Sequence, residues 1–323
     1  MFDLDKSQIM TLFDFDEATD RIRDAYVSSA QGTVQTGDVV HLTFPDAKGD
    51  CHVKSGHIAG TDAYVVKIAS GFYDNPTKGL PSSNGMMLAF CATTGAPLAI
   101  LRDEGWLTDM RTAIGGALAT RSLARVDATN ILIIGAGIQA KLQALCLAQL
   151  MPERTLVFSI WARNGAAAQT LVTQLKDAGH NAVAISNLDD AIRAADCITT
   201  TTPATEPLFA DGLISKGTHV TAIGADCPGK QELPSALVAT ASLRVCDLTS
   251  QSLNHGEFQT AYRRDPSLNV TELGHIFSGA HPGRVSENDI TVADLTGIAA
   301  QDIAITQSII DAALRQNTQK DIQ

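Results

Sequence analysis

The chain has 323 residues, of which 45% are hydrophobic and 18% charged, with a formal net charge of −11 at pH 7 and a pI near 5.1. This length suits two domains and this composition a soluble globular protein, while the acidic balance argues against nucleic-acid and anionic-membrane partners. Apolar runs such as 131–134 are far shorter than the ~20 residues of a membrane span. The chain opens on an acidic, mixed segment rather than a signal peptide, so we expect a cytoplasmic protein.

The six cysteines show neither CxxC pairing nor metal-ligand spacing. Most of them lie within apolar stretches, where a thiol behaves as a small hydrophobic side chain. We therefore expect buried free thiols and no metal site.

The N-terminal third has the pattern of an α+β domain. Apolar residues recur at helical spacing over 14–30, which predicts an amphipathic helix. Between 38 and 100, short β-branched or alternating runs are broken by Gly, Pro, Asn and Asp, which predicts an antiparallel sheet of hairpins and meanders. The predicted strands are 39–44, 51–56, 63–68, 86–90 and 97–101. A long helix with small residues on its packed face follows at 107–124.

The rest of the chain alternates apolar strands with helices, which predicts a doubly wound α/β domain of the Rossmann type. The predicted strands are 130–134, 155–160, 181–185, 197–201, 218–223, 243–247 and 290–293, the last completing the sheet. The predicted helices are 138–150, 165–178, 189–195 and 234–240. A final amphipathic helix at 302–314 is expected to return to the first domain, and the polar tail from 315 to fray. The predicted domains are therefore 1–112 with 302–323, for substrate binding and dimerisation, and 113–301, for dinucleotide binding.

Residues 135–140 read G-A-G-I-Q-A, a GxGxxA turn between an apolar strand and a helix. Gly135 permits the tight turn, and Gly137 lets the backbone approach a pyrophosphate. Ala140 keeps the helix close to the strand, so that the free N–H groups of the helix amino end point at the phosphates. In this context the turn predicts a nicotinamide dinucleotide site.

The next strand ends in Ala162-Arg163-Asn164. Enzymes that use NAD normally carry Asp or Glu about 20 residues past the glycines, to hold the ribose 2′-hydroxyl; Ala162 occupies that place. Arg163 offers a planar cation suited to a 2′-phosphate, unless it is simply a solvated surface arginine. We therefore predict NADP(H), with NAD(H) as the alternative. The other residues predicted to contact the cofactor are Thr112, Ile138, Gln139, Thr201, Ile223 and Lys230.

Several segments resemble the ornithine cyclodeaminase/μ-crystallin superfamily. Residues 107–113, L-T-D-M-R-T-A, are similar to its L-T-x-x-R-T-A segment, and the turn at 135–140 to its G-x-G-x-Q-A turn. Residues 217–219 and 223–233 resemble its G-T-H and G-A-D-x-P-G-K-x-E-L block, and 296–302 also fit. The resemblance covers most of the chain in the right order, and the chain is identified as a member on these residues.

The resemblance implies a homodimer joined through the N-terminal sheet, an active site between the two domains, and hydride exchange at the α-carbon of an amino or imino acid. It assigns Lys67 beside the substrate carboxylate and imine, Arg111 on the α-carboxylate, and Asp226 facing the substrate nitrogen. The chemistry suits these roles: a guanidinium grips a carboxylate bidentately, a lysine relays protons, and an acid favours the protonated imine that accepts hydride. The structural alternatives are a surface helix charge, a snorkelling lysine and a turn-forming aspartate.

Two departures from the family bear on the substrate. His41 stands where the family often has an arginine that shares the carboxylate, so His41 either binds the substrate in its place or the contact is missing. Lys54, thirteen residues before Lys67, stands where ornithine cyclodeaminases have a glutamate. His52 and Lys54 are two apart on a predicted strand and therefore face the same side, which gives a positive lining for a second polar or anionic group, unless Lys54 is merely exposed.

These observations favour an NADPH-dependent reductase of α-imino acids, either cyclic, such as pyrroline- or piperideine-2-carboxylate, or open-chain. An ornithine or lysine cyclodeaminase with recycled NAD is the second hypothesis, and Lys54 and the missing ribose acid argue against it. The third is a non-catalytic ligand-binding protein similar to μ-crystallin.

Overall fold

The structure, a computed structural model, describes residues 1–321. The chain divides into two compact units, the first formed by residues 1–111 and 298 onward, the second by 112–297. The boundaries expected from the sequence, 112/113 and 301/302, fall a few residues from these, and residues 322–323 of the expected first domain lie outside the described residues. No helix in the described part of the chain is long and apolar enough to cross a membrane.

The first unit is a sheet of seven strands covered by helices. Its strands are β1 (Phe2–Asp5), β2 (Val34–Thr36), β3 (Val40–Phe44), β4 (Gly49–Ile58), β5 (Ala63–Phe72), β6 (Ser83–Cys91) and β7 (Pro97–Arg102). Its helices are α1 (Lys6–Leu12), α2 (Phe15–Ala30), the beginning of α3 (Trp106–Leu123), and α11 (Ala299–Asp321). The order is β1-β7-β6-β5-β4-β2, with β3 also paired to β4.

The antiparallel sheet expected over residues 38–100 is confirmed, and one strand from outside that range adds a parallel pair at its edge. β1 pairs parallel with β7, whereas the other pairs are antiparallel. β1 and β2 are only four and three residues long, too short for an alternating pattern to identify them from sequence.

Helix α11 covers one face of this sheet. A Cβ added to Gly56 would lie 3.3 Å from both Ala299 and Ile303, so the strand and the helix meet in close contact. The helix continues past residue 315, where fraying was expected. At residue 315, where the helix was expected to end, Arg315 Nη2 lies 2.6 Å from Glu17 Oε2 of α2, and this ion pair ties the last part of α11 to α2.

The second unit is an eight-stranded parallel sheet, and most of its strands are connected through a helix. Its strands are β8 (Asn130–Ile134), β9 (Val157–Trp161), β10 (Asn181–Ala184), β11 (Cys197–Thr200), β12 (His219–Ala222), β13 (Leu243–Cys246), β14 (Thr271–Glu272) and β15 (Thr291–Asp294). Its helices, besides the rest of α3, are α4 (Ile138–Leu150), α5 (Gly165–Asp177), α6 (Leu188–Ala194), α7 (Ser235–Thr240), α8 (Thr249–His255), α9 (Gln259–Arg264) and α10 (Leu273–Phe277).

The order β10-β9-β8-β11-β12-β15-β13-β14 places β15 inside the sheet, where it completes the row between β12 and β13. β8, β11, β12 and β15 are almost wholly buried, as expected for central strands of a parallel sheet, although all but β8 also carry buried polar side chains. The sequence missed β14 and α8–α10, which are short elements in a polar stretch. The chain is thus an α/β protein with a Rossmann unit and an α+β unit completed by the C-terminal helix. Its cysteines are free, but only Cys146, Cys197 and Cys246 are buried.

Candidate active site

The glycine-rich turn of the second unit is shaped to approach a ligand. Gly135 has φ +134°, a conformation that L side chains rarely adopt, and a side chain there would run into the Thr201 hydroxyl. Gly137 is the N-cap of α4, where no side chain caps the helix, and nothing lies within 4 Å of where its Cβ would be. Open space therefore faces the amino end of a 13-residue helix, which suits a phosphate.

This turn opens on a cavity of about 1060 Å³ in the second unit. The cavity is lined by three loops at the carboxyl ends of β8, β9 and β11, where parallel sheets bind dinucleotides. The predicted residues that line it are Gly135, Gly137, Ala162, Arg163, Asn164 and Thr201. The size and the donor set therefore fit a dinucleotide, and Ala140, fully buried, holds the helix against the strand behind the turn.

The end of β9 is the place where Rossmann units recognise the adenosine ribose of a dinucleotide. No carboxylate stands at Ala162, and the exposed Arg163 makes no hydrogen bond or ion pair with any described side chain. Asn164 caps α5, since its Oδ1 accepts from the backbone N–H groups of Ala166 (3.1 Å) and Ala167 (3.4 Å). Of the three residues, Arg163 alone therefore presents a cation to the cavity.

The remaining predicted cofactor residues also lie in the second unit. Ile138 is exposed at the first position of α4, and Gln139 follows it half-buried. The Thr112 carbonyl accepts a hydrogen bond from Gln143 Nε2 at 3.2 Å, and Ile223 is buried at the end of β12.

The loop after β12 carries Asp226 and Lys230, which pair at 2.6 Å between Oδ1 and Nζ. Sequence reasoning missed the residue that anchors this loop. The buried Glu232 carboxylate accepts from the Thr200 and Thr202 hydroxyls and from the backbone N–H groups of Thr202 and Gly224. It thereby ties together the ends of β11 and β12. The only hint of Glu232 in the sequence is that it lies in the segment G-K-x-E-L, which resembles the family.

A second buried carboxylate supports the first. Glu257 accepts from the backbone N–H groups of Glu232 and Leu233. Burial raises the pKa of Glu232, and burial together with nearby carboxylates raises the pKa of Glu257. Two buried carboxylates therefore hold the ends of the loop that carries Asp226.

The first unit contains a buried charge cluster made from three distant segments. Lys67 lies on β5, Arg111 in α3, and Asp302 in the first turn of α11. Asp302 bridges the two cations, with Oδ2 2.8 Å from Lys67 Nζ and Oδ1 3.0 Å from Arg111 Nε. The three side chains are only 3%, 7% and 3% exposed, so solvent screens these interactions little.

Gln301 completes the cluster. Its Oε1 accepts from Arg111 Nη1 at 3.4 Å, and its Nε2 donates to the Arg111 carbonyl at 3.0 Å. Neither Gln301 nor Asp302 was assigned a role from sequence, although both end the family-like segment 296–302. An acid in the first turn of a helix usually means only a helix-dipole contact.

Burial lowers the pKa of Lys67 from 10.5 to about 7, with Arg111 and Lys54 adding to the effect and Asp302 opposing it. For Asp302 burial acts against ionisation, but Lys67 and Arg111 outweigh it and lower the pKa. A lysine that titrates near neutral pH can give or take a proton at working pH.

The two residues that depart from the family pattern, His41 and Lys54, lie on strands of the same sheet as Lys67. Lys54 on β4 stands directly opposite Lys67 on β5. His41 on β3 stands opposite His52, and their rings stack with centroids 4.3 Å apart. His52 Nε2 lies 3.8 Å from Asp50 Oδ1, and His41, Asp50 and His52 could between them hold a metal ion, which the sequence did not predict.

Comparisons with known proteins agree with this architecture. The family model for the ornithine cyclodeaminase/mu-crystallin family matches residues 2–317. An uncharacterized cyclodeaminase of Sinorhizobium fredii is 41% identical over 280 residues, covering 84% of this chain and 83% of that protein.

Two solved structures share the whole fold. An archaeal alanine dehydrogenase dimer with bound NAD aligns with a TM-score of 0.87 and 30% identity, covering 98% of this chain and 97% of that one. The Δ1-pyrroline-2-carboxylate reductase of Thermococcus litoralis, in complex with NADH and L-proline, aligns with a TM-score of 0.89 and 26% identity, covering 98% of both chains. The chain therefore belongs to the ornithine cyclodeaminase/mu-crystallin family.

Proposed function

We propose that the chain is an NAD(P)H-dependent oxidoreductase that reduces α-imino acids. The observation that carries this proposal is the buried cluster of Lys67, Asp302 and Arg111. The second unit also has the glycine-rich turn at 135–140 and the cavity beside it, together called the dinucleotide cradle below. A guanidinium and an ammonium held together by one carboxylate form a preorganised receptor for a second, substrate carboxylate. The relatives that act on alanine and on Δ1-pyrroline-2-carboxylate support this class of substrate.

The chemistry adds a hydride to the imine carbon and a proton to the imine nitrogen, which converts C=N into an amine. A bound nicotinamide supplies the hydride. Arg111 holds the α-carboxylate, and Lys67, with its pKa of about 7, supplies or relays a proton at working pH. Asp226 favours the protonated imine by its negative charge.

We propose NADP(H) as the preferred cofactor. The amino end of α4 and the glycines before it would hold the pyrophosphate, and Arg163 would pair with a 2′-phosphate. The solved relatives bind NAD and NADH, so this preference would separate the chain from them.

We also propose a homodimer joined through the uncovered face of the first unit's sheet. Val40, Val53, Ile68 and Met86 stand directly opposite one another across four strands and form one apolar row. Val40 is 52% exposed and its neighbour Leu42 51%, which is unusual for an apolar face in water. A second copy of the chain is the expected partner, as in the alanine dehydrogenase dimer. Sedimentation analysis should give a dimer for the native chain and a monomer for Leu42→Asp.

The function is tested by following NADPH and NADH oxidation with 2-oxo acids plus ammonia or methylamine, and with cyclic imines. We expect oxidation that requires the amine or the preformed imine, because a ketone alone lacks the nitrogen that Asp226 would recognise. Failure with every imine would contradict the proposal. Ammonia release from L-ornithine with catalytic NAD and no net reduction would favour a cyclodeaminase instead.

A further inference from the structure

Two histidines and an aspartate come together on the strands β3 and β4 of the first unit. His41 and His52 are direct partners in the β3–β4 register, and Asp50 is two residues from His52, so the three side chains leave the sheet on the same face. One ligand atom from each of them, two ring nitrogens and a carboxylate oxygen, lies within 4.8 Å of the others. His41 is exposed, whereas Asp50 and His52 are half-buried, so an ion can reach the group from solvent.

The spacing of these atoms suits one shared ion better than a direct contact. His52 Nε2 lies 3.8 Å from Asp50 Oδ1, which is too long for a hydrogen bond. Two ligands of one tetrahedral zinc ion lie about 3.4 Å apart, because each bond is about 2.1 Å long. The rings of His41 and His52 are stacked with their centroids 4.3 Å apart, so rotation of the exposed His41 ring can bring the nitrogens of both rings to this separation.

Asp50 is held with one carboxylate oxygen toward the histidines. Its Oδ2 accepts a hydrogen bond from the Tyr73 hydroxyl at 3.1 Å, which leaves Oδ1 on the side of His52. A side chain that binds a metal ion is usually oriented by such an outer hydrogen bond. Gly71, opposite Asp50 on β5, provides the room, because a Cβ there would lie 3.3 Å from Asp50 Oδ1 and 3.6 Å from Tyr73 Cζ.

Two lysines flank the group, one at each end. Lys48, which precedes β4, pairs with Asp74 at 2.9 Å. Lys54 leaves the same face two residues beyond His52, so it stands on the side of His52 that is away from Asp50. An ion would therefore be held at the Asp50 end of the group, where the carboxylate offsets part of the charge of a divalent cation.

We propose that His41, Asp50 and His52 bind one divalent transition-metal ion of the zinc type. Two imidazoles and a carboxylate suit zinc, whereas magnesium and calcium prefer oxygen ligands alone. Three protein ligands leave a fourth position for water. Because β3 pairs with β4, the ion joins an edge strand to the sheet, and its binding should stabilise the folded chain. This metal site does not depend on the reductase function.

Metal binding is measured on the full chain without a histidine tag, after bound ions have been removed with EDTA. Calorimetric titration with Zn²⁺ should give one ion per chain. His41→Ala and His52→Ala should each weaken zinc binding by at least about 100-fold, because each removes a ligand, and Tyr73→Phe should weaken it by about tenfold through the loss of the outer hydrogen bond. Co²⁺ in place of zinc should give a visible spectrum without a thiolate charge-transfer band, which excludes the cysteines as ligands.

Two substitutions on β4 serve as matched controls. His57→Gln changes another histidine of this strand, and Cys51→Ser changes the thiol between Asp50 and His52. Both side chains leave the opposite face of the sheet, so zinc binding should be unchanged. Thermal denaturation without metal reports whether each variant folds, and Asp50→Asn, which keeps the shape of the side chain, replaces a histidine variant that does not.

Hydrogen exchange locates the ion on the chain. Zinc should slow the exchange of residues 40–44 and raise the melting temperature of the native protein, whereas residues 34–36 of β2, which also pairs with β4, should not change. Absence of zinc binding by the native protein overturns the site. Equal zinc affinity in the native protein and in His41→Ala, or a thiolate band with Co²⁺, means an adventitious ion only and overturns it as well.

Discussion

The two candidate sites of this chain are built in opposite ways. The dinucleotide cradle comes from backbone conformation along one stretch, residues 130–164, and its main demands are a positive φ at Gly135 and a free helix end. The charge cluster comes from three side chains on β5, α3 and α11, and Lys67 and Asp302 are far apart in the chain. A backbone site tolerates most side-chain changes, whereas a buried cluster is unbalanced by the loss of one charge. Single side-chain substitutions should therefore have small effects in the dinucleotide cradle and large effects in the charge cluster.

The largest effect is expected from Lys67→Met. This variant removes the group proposed to handle the proton and part of the carboxylate receptor, so kcat/KM for imine reduction should fall by about 10³-fold. Cofactor binding, measured by NADPH fluorescence titration, should change little, because the cradle lies in the other unit. Lys48→Met, which removes an exposed lysine that pairs with Asp74, is the matched control and should keep full activity.

The same variant can be checked for folding through its pH dependence. The pKa of Lys67 is about 7 in the folded chain and 10.5 in the unfolded chain, so between these values the unfolded chain binds more protons. The free energy of unfolding should therefore rise with pH across that window for the native protein, and this rise should be smaller in Lys67→Met. An activity loss accompanied by collapse of the fold at every pH would contradict the proton-handling role.

A smaller effect, on cofactor choice, is expected from Arg163→Ala. Loss of a charge-assisted contact to the 2′-phosphate costs about 2 kcal/mol, so the NADPH:NADH ratio of kcat/KM should fall by about 30-fold. The value with NADH should hardly change. Arg193→Ala, an exposed arginine on α6 of the same unit, is the control. Equal use of both cofactors by the native protein, or equal loss with both, would refute the assignment of Arg163.

The contrast between the two sites also explains what could be predicted from sequence. The Gly135–Ala140 turn was readable because its strand, glycines and helix are consecutive, and periodicity located β8 and α4 with the bounds that the structure has. Lys67 and Arg111 were named through family resemblance. That Asp302 joins them was not predicted, because nothing local in the sequence shows that the first turn of α11 reaches β5 and α3. Glu232 was missed for the same reason, since its partners lie at the ends of β11 and β12.

The smallest and most specific effect is expected from Asp302→Asn, a positioning residue that acts through Lys67 and Arg111. The Asp302 carboxylate opposes the lowering of the Lys67 pKa, so its removal should move that pKa below 7. The pH at which kcat/KM for imine reduction declines should then move to lower pH. If the pKa of Lys67 falls by about one unit, kcat/KM should drop about tenfold at pH 8 and less at pH 6. Asp311→Asn removes a carboxylate from the same helix, paired with Arg21, and should leave the profile unchanged. A parallel loss at every pH would mean that Asp302 holds the fold without tuning Lys67.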